Sequence, residues 1–161
     1  MLTHRGDEAE GTLPLKILKP ILESIPRGEL FAPTNRIGMD AAIIKSQGQY
    51  IIIVSGSRRG YGKNLAFKLI LELAEKARYA GARPRLIAPI VLFPKGMPVK
   101  EIKHVVSEII TAASKLGITV AKGHTEITPW LDKMTIVATV IGTSNKPPTV
   151  AKGRQRNVLK K

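Results

Sequence analysis

The chain contains no cysteine, which excludes a disulfide framework, a thiolate metal site and a cysteine nucleophile. Aromatic residues make up only 4% of its 161 positions, and no strand-like run carries the aromatic pair that stacks bases in the common RNA-binding sheets. Histidine is scarce too. His4, His104 and His124 are far apart, without the close spacing of zinc ligands. No apolar run reaches the roughly 18 residues of a membrane span, and the opening MLTHRGDEAEG is too polar for a secretory signal. These absences lead to the expectation of a cytoplasmic protein with no membrane segment.

Acid is the last scarcity: 12 Asp and Glu stand against 26 Lys and Arg, for a net charge of +14. The excess is uneven. Residues 1–55 are neutral overall, residues 56–85 carry +6, residues 86–143 carry +2 and residues 144–161 carry +6. A field concentrated in one central segment and one tail favours phosphates or polyanions. The lack of cysteine, with abundant Ile, Lys and Arg, is also a composition found in thermophiles.

With 43% hydrophobic residues, the chain has enough apolar surface for one packed domain. Pro14 opens a helical pattern, LPLKILKPILESI, in which Pro20 should produce a kink. PRGELFAPTNRIG reads as a loop. MDAAIIK and YIIIVSG are short β-branched runs joined by SQGQ, a hairpin pattern. The stretch GSRRGYG reads as a glycine-rich basic loop. Leu65, Leu69, Leu73 and Ala77 then recur at helical spacing, giving a helix from about Asn64 to Ala80 stopped by Gly81.

PRLIAPIVLFP is a third strand, apolar throughout its middle and so expected to be buried on both faces. Ile102, Val105, Val106, Ile109, Ile110 and Ala113 mark a helix from about Val99 to Leu116. ITVAKG and MTIVATVIG are strands four and five, around a turn that reads GHTE. The alternation gives an α/β fold, with α+β as its variant: a mixed sheet with two long helices on one face. The domain reading is a flexible segment 1–10, a domain over 11–143 and a basic, disordered tail over 144–161.

The order of strand, glycine-rich stretch, Lys63 and helix has the layout of a phosphate-cradling loop. The spacing departs from that motif: Ser57 stands where glycine is required, and Asn64 where the magnesium-binding hydroxyl belongs. Looser anion binding by Arg58, Arg59 and Lys63 remains as a reading. Asp40 and Glu126 are the acids flanked by glycine and strand, and two such carboxylates can share a magnesium ion if the fold joins them.

GMDAAII (38–44), AGARPRLIAPIVLFPKGMP (80–98) and AKGHTEITPWLDKMTIVATVIGT (121–143) occur in that order. Together they resemble the N-terminal domain of the aminoimidazole ribonucleotide synthase superfamily, and within it archaeal synthase-related members. Relatives there include the hydrogenase maturation dehydratase, selenophosphate synthetase and thiamine-monophosphate kinase. The resemblance covers residues 11–143. It implies an ATP-dependent ligase- or kinase-like chemistry, a homodimer with paired sheets, ATP phosphates and Mg2+ near the dimer interface, and a second domain completing the active site.

Carried over by position, Asp40 matches a metal-ligand aspartate, and Gly123, His124, Thr125 and Glu126 match the phosphate-side turn. The departures are Gly56-Ser57 where members carry Asp-Pro, Glu75-Lys76 where they carry Asn-Asp, and Lys122 at the first glycine of the turn. Loss of carboxylates removes the cage that holds phosphoryl-transfer metals. Lys76, Arg58, Arg59, Lys63 and Lys122 would then meet phosphate directly. The resulting expectation is a relative with a degraded metal site that binds a nucleotide or phosphate without autonomous catalysis. Its alternatives are an enzyme subunit whose partner chain supplies the C-terminal domain, and a module that associates with nucleic acid through the basic tail.

Overall fold

The computed structural model describes residues 14–24 and 41–148. Asp40, His4, the loop expected over residues 26–38 and most of the basic tail lie outside the described residues. The first element, α1 (Leu15–Glu23), starts after Pro14 and continues through Pro20. Ile17 and Ile21 are exposed on it.

β1 (Ala42–Ser46) and β2 (Gln49–Arg59) form the expected antiparallel hairpin. Its turn residues, Gln47 and Gly48, have φ of +46° and +80°. That left-handed pair matches the twist of a two-residue hairpin. From β2 the chain passes through α2 (Leu65–Tyr79) into β3 (Arg83–Pro94), then through α3 (Val99–Lys115) to β4 (Thr119–Val120), β5 (His124–Thr128) and β6 (Thr135–Ser144).

β6 returns to the middle of the sheet, antiparallel to β2 on one side and β3 on the other. The far edge of β3 is shared: β4 pairs with its first half and β5 with its second, both parallel. The sheet therefore has six strands in the order β1-β2-β6-β3, with β4 and β5 along the last edge.

Cross-strand partners share a face of a sheet, so the registers sort every side chain. Ile43, Ile52, Val54, Ile87, Val91, Ile136, Ala138 and Val140 point to one side, where they are at most 1% exposed under α2 and α3. Helix α2 contributes Ala66, Leu69, Ile70, Leu73, Ala74 and Ala77 to this core, and α3 contributes Val105, Ile109, Ala112 and Ala113. Burying each large side chain contributes about 1.5–3 kcal/mol. Gly56 lets α2 come close, because a Cβ there would stand 3.0 Å from Leu73 Cδ2. The two helices on one face are thus as expected from the sequence.

Three expectations need correction. GSRRGYG is not wholly a loop: Gly56–Arg59 continue β2 in register with Thr135–Ala138 of β6, and the turn begins at Gly60. The backbone of β6 supplies the partners that local composition does not advertise. GHTE is not a turn either. His124–Thr128 is a strand held by β3, which raises the strand count among the described residues from the expected five to six. Finally, β3 is buried on one face only, since Leu86 and Ile90 on the opposite face are 37% and 41% exposed.

Candidate phosphate-side site

The open face of the sheet has a graded composition. At one end it is apolar, with Ile44, Ile51, Ile53, Ile141 and Leu86 side by side. In the middle row, Ser55 Oγ and Thr139 Oγ1 lie 2.9 Å apart, next to Ala88. The next row runs Ser57, Val137, Ile90, His124, and the last runs Arg59, Thr135, Leu92, Glu126. His124 and Glu126, two apart on β5, therefore share the open face, with His124 Nε2 and Glu126 Oε2 separated by 3.5 Å. Arg59 lies three strand spacings away in the same row, about 14 Å across the sheet.

The other candidates face elsewhere. Arg58 alternates with Arg59 and points to the helix side, where its Nη2 donates to Glu72 Oε2 at 2.9 Å. Lys76 Nζ lies 3.0 Å from the other oxygen of Glu72. The hydrogen bond from Lys76, followed by that from Arg58, holds the Glu72 carboxyl below its ordinary value. Arg58 and Lys76 thus share one carboxylate. The arginine's Nε is buried and has no hydrogen-bond partner among the described residues.

Arg59 is paired as well. Its guanidinium donates to Asp132, and this bond is the main reason that the Asp132 carboxyl titrates below its ordinary value. Lys63 is exposed in the β2–α2 turn, and among the described residues no ion pair involves it.

The phosphate-loop layout fails in a physical way besides its spacing. A helix N-terminus attracts anions through free N–H groups, but Phe67 N in the first turn of α2 already donates to Glu108 Oε1 of α3 at 3.0 Å. The protein's own carboxylate occupies that place. Glu108, which carries no motif and sits in α3, comes into view only in the fold, as do Asp132 and Tyr61.

Residue 56 is also informative. An aspartate there would enter the core between Leu69 and Leu73, whereas residue 57 shares the open face and row of His124. Among the described residues no three of His, Asp and Glu converge as metal ligands do. Glu126 is the described carboxylate on the open face, and magnesium is often held by one or two carboxylates together with substrate phosphates.

Among the described residues, a six-stranded mixed sheet covered by helices on one side and open on the other defines an α/β domain. The family described as AIR synthase related protein, N-terminal domain, matches residues 38–144, and the chain belongs to that family.

Among solved structures, the Thermus thermophilus protein tt0281 is 15% identical over 83% of this chain and 43% of its own, with a TM-score of 0.67. AaThiL complexed with AMPPCP and TMP, the thiamine monophosphate kinase of Aquifex aeolicus, is 15% identical over 82% of this chain and 41% of its own, with a TM-score of 0.66. The HypE–HypF complex gives 19% identity over 83% and 43%, with a TM-score of 0.64. At these identities the likeness establishes the fold. The chain spans 41–43% of the length of these structures. No curated protein sequence matches.

Proposed function

We propose that this chain is a nucleotide- or phosphate-binding member of the AIR synthase-related family that acts within an assembly and not as a self-contained catalyst. One observation carries the reading: His124 and Glu126 share the open sheet face with Arg59, at the polar end of a surface that is apolar at its other end. A second copy laid on the apolar end would bury it and place the polar ends at the edge of a homodimer interface. In that arrangement Glu126 is the described carboxylate available to a magnesium ion, and Asp40, outside the described residues, is the second candidate by family resemblance alone. Gly123 and Lys63 flank the route of the phosphates, whereas Thr125, in register with Val91, faces the helix side of the sheet and is set aside as a ligand on this face.

The pairing of Arg58 and Lys76 with Glu72 leaves them poor direct phosphate ligands, so Lys63 carries more of that role. The relatives lend support. AaThiL is known with the ATP analogue AMPPCP, and HypE is known in complex with HypF. A partner chain supplying a second domain is therefore the natural route from binding to ATP-dependent chemistry.

Isothermal titration with ATP, with and without magnesium and at low and moderate salt, tests the reading. Saturable binding is expected, with any magnesium enhancement lost in Glu126→Gln. Failure of ATP, ADP and a phosphate ester to bind at low salt would sink it.

A further inference from the structure

Three loops meet at the end of the sheet where β2, β3 and β5 finish: residues 60–64, 95–98 and 129–134. Hydrogen bonds tie them into one rim. Gly60 N donates to Met134 O at 2.9 Å and Lys95 N to Thr128 O at 3.2 Å. Tyr61 Oη donates to Asp132 O at 2.5 Å. Two large aromatics stand on this rim almost uncovered, Trp130 at 88% exposure and Tyr61 at 60%. Trp130 is two residues from the carbonyl that fixes Tyr61.

The charges of the rim are one-sided. Asp132 is the single acid in the three loops, and its carboxylate is taken up by Arg59. Lys63, Lys95 and Lys133 are all exposed there, with no ion pair among the described residues.

A tryptophan and a tyrosine held in ordered loops, interleaved with uncompensated lysines along about three strand spacings, match the chemistry of single-stranded nucleic acid. Bases stack on the aromatics, while lysines track the phosphates. A duplex keeps its bases stacked on each other and offers the aromatics nothing. We propose that this rim binds single-stranded nucleic acid, with bases on Trp130 and Tyr61 and backbone phosphates on Lys63, Lys95 and Lys133. The surface adjoins the open sheet face proposed for the nucleotide and shares Lys63 with it, while Trp130, Tyr61, Lys95 and Lys133 belong to the rim alone.

The chain has one tryptophan, so its fluorescence reports on the rim alone. Full-length protein is titrated with a short labelled oligothymidylate or oligouridylate, following both label anisotropy and tryptophan emission. Binding with quenching is expected for at least one of them, and the preferred sugar identifies DNA or RNA. Inorganic polyphosphate and duplex of equal length should leave the emission unchanged. Trp130→Ala should weaken binding roughly five- to hundredfold, with Trp130→Phe restoring most of it. Three phosphate contacts give a slope of roughly −2 in log K against log salt, and Lys133→Ala reduces it by about 0.7.

Saturation without quenching, or unchanged affinity in Trp130→Ala, overturns the proposal and assigns the binding to charge elsewhere, such as the tail. Equal quenching by ATP at equal concentration also overturns it, in favour of a mononucleotide pocket. Trp130 is so exposed that its replacement does not threaten the fold. Loss of oligonucleotide binding with ATP titration unaffected separates this proposal from the previous one.

Discussion

On the helix side of the sheet, Ile52 and Val54 are completely buried, while on the open side Ile51 and Ile53 of the same strand are only half-buried. The residue types are nearly identical, yet one row is sealed by α2 and the other meets solvent. An ordinary one-sided sheet alternates apolar with polar positions. Here both sets are apolar over the first half of β2, so the strand is composed for two covering layers, and the described residues provide one. The second half differs: Ser55, Ser57 and Arg59 line the open side, where the candidate site lies. One strand thus divides into a segment apolar on both faces and a segment polar on its open face.

The sharpest way to break the comparison is to place the same charge on each face. Ile52→Asp buries an unpaired carboxylate and should cost on the order of 4 kcal/mol or more, a large share of a domain's ~5–15 kcal/mol. Urea denaturation should find it unfolded or nearly so. Ile53→Asp should change the stability of the single chain by less than about 1 kcal/mol. Its effect should fall on the proposed self-association, with sedimentation expected to show a folded monomer for the variant and a dimer for the native chain. An equally folded dimer in Ile53→Asp would remove the open face from the interface.

A smaller effect sharpens the covered side. Glu108→Ala leaves Phe67 N without its partner and should cost about 1–2 kcal/mol, as the loss of a helix cap does. Glu108→Gln, which keeps an acceptor oxygen, should recover most of it in the same denaturation experiment.

The smallest effect concerns Glu72, whose folded pKa lies below its ordinary value because of Lys76 and Arg58. A depressed carboxyl stabilises the fold fully above its unfolded pKa of 4.5 and loses that contribution as pH falls through the lower folded value. The three side chains are each 34–42% exposed, so solvent screening holds the effect to at most about 1 kcal/mol. The stability gap between native protein and Glu72→Gln should be present at pH 7 and close below pH 4.5. A gap that does not shrink as the pH falls below 4.5 and the carboxyl is progressively protonated would show that the ion pairs are not its origin.

Much of the fold was legible where the signal is local. The Gln47–Gly48 turn and the fourfold spacing in α2 and α3 are properties of neighbouring residues, and they led to the right elements. The errors fell where partners come from far along the chain. Gly56–Arg59 read as a loop because glycine and arginine favour no strand, yet β6, some eighty residues later, pairs with every one of them. His124–Thr128 read as a turn because it is polar and short, yet the edge of β3 draws it into the sheet.

The placement of the candidate residues was legible in part for the same reason. Motif position singled out His124 and Glu126, and register places them on one face. Arg58 and Arg59 looked equivalent in sequence, but the period of two sends them to opposite sides. No motif could reveal that Glu72, Glu108 and Asp132 would each claim a cation or a helix end.

The bond from Phe67 N to Glu108, which spans 41 positions of the chain, bears on the order of assembly. A helix capped from within can form its first turn before anything else arrives. Asn64 provides no side-chain cap, so the start of α2 is completed only when α3 has docked. Fraying at Leu65–Phe67 therefore reports on helix–helix docking. In refolding, Glu108→Ala would slow the forward rate if α3 is already seated in the transition state, and otherwise would only hasten unfolding.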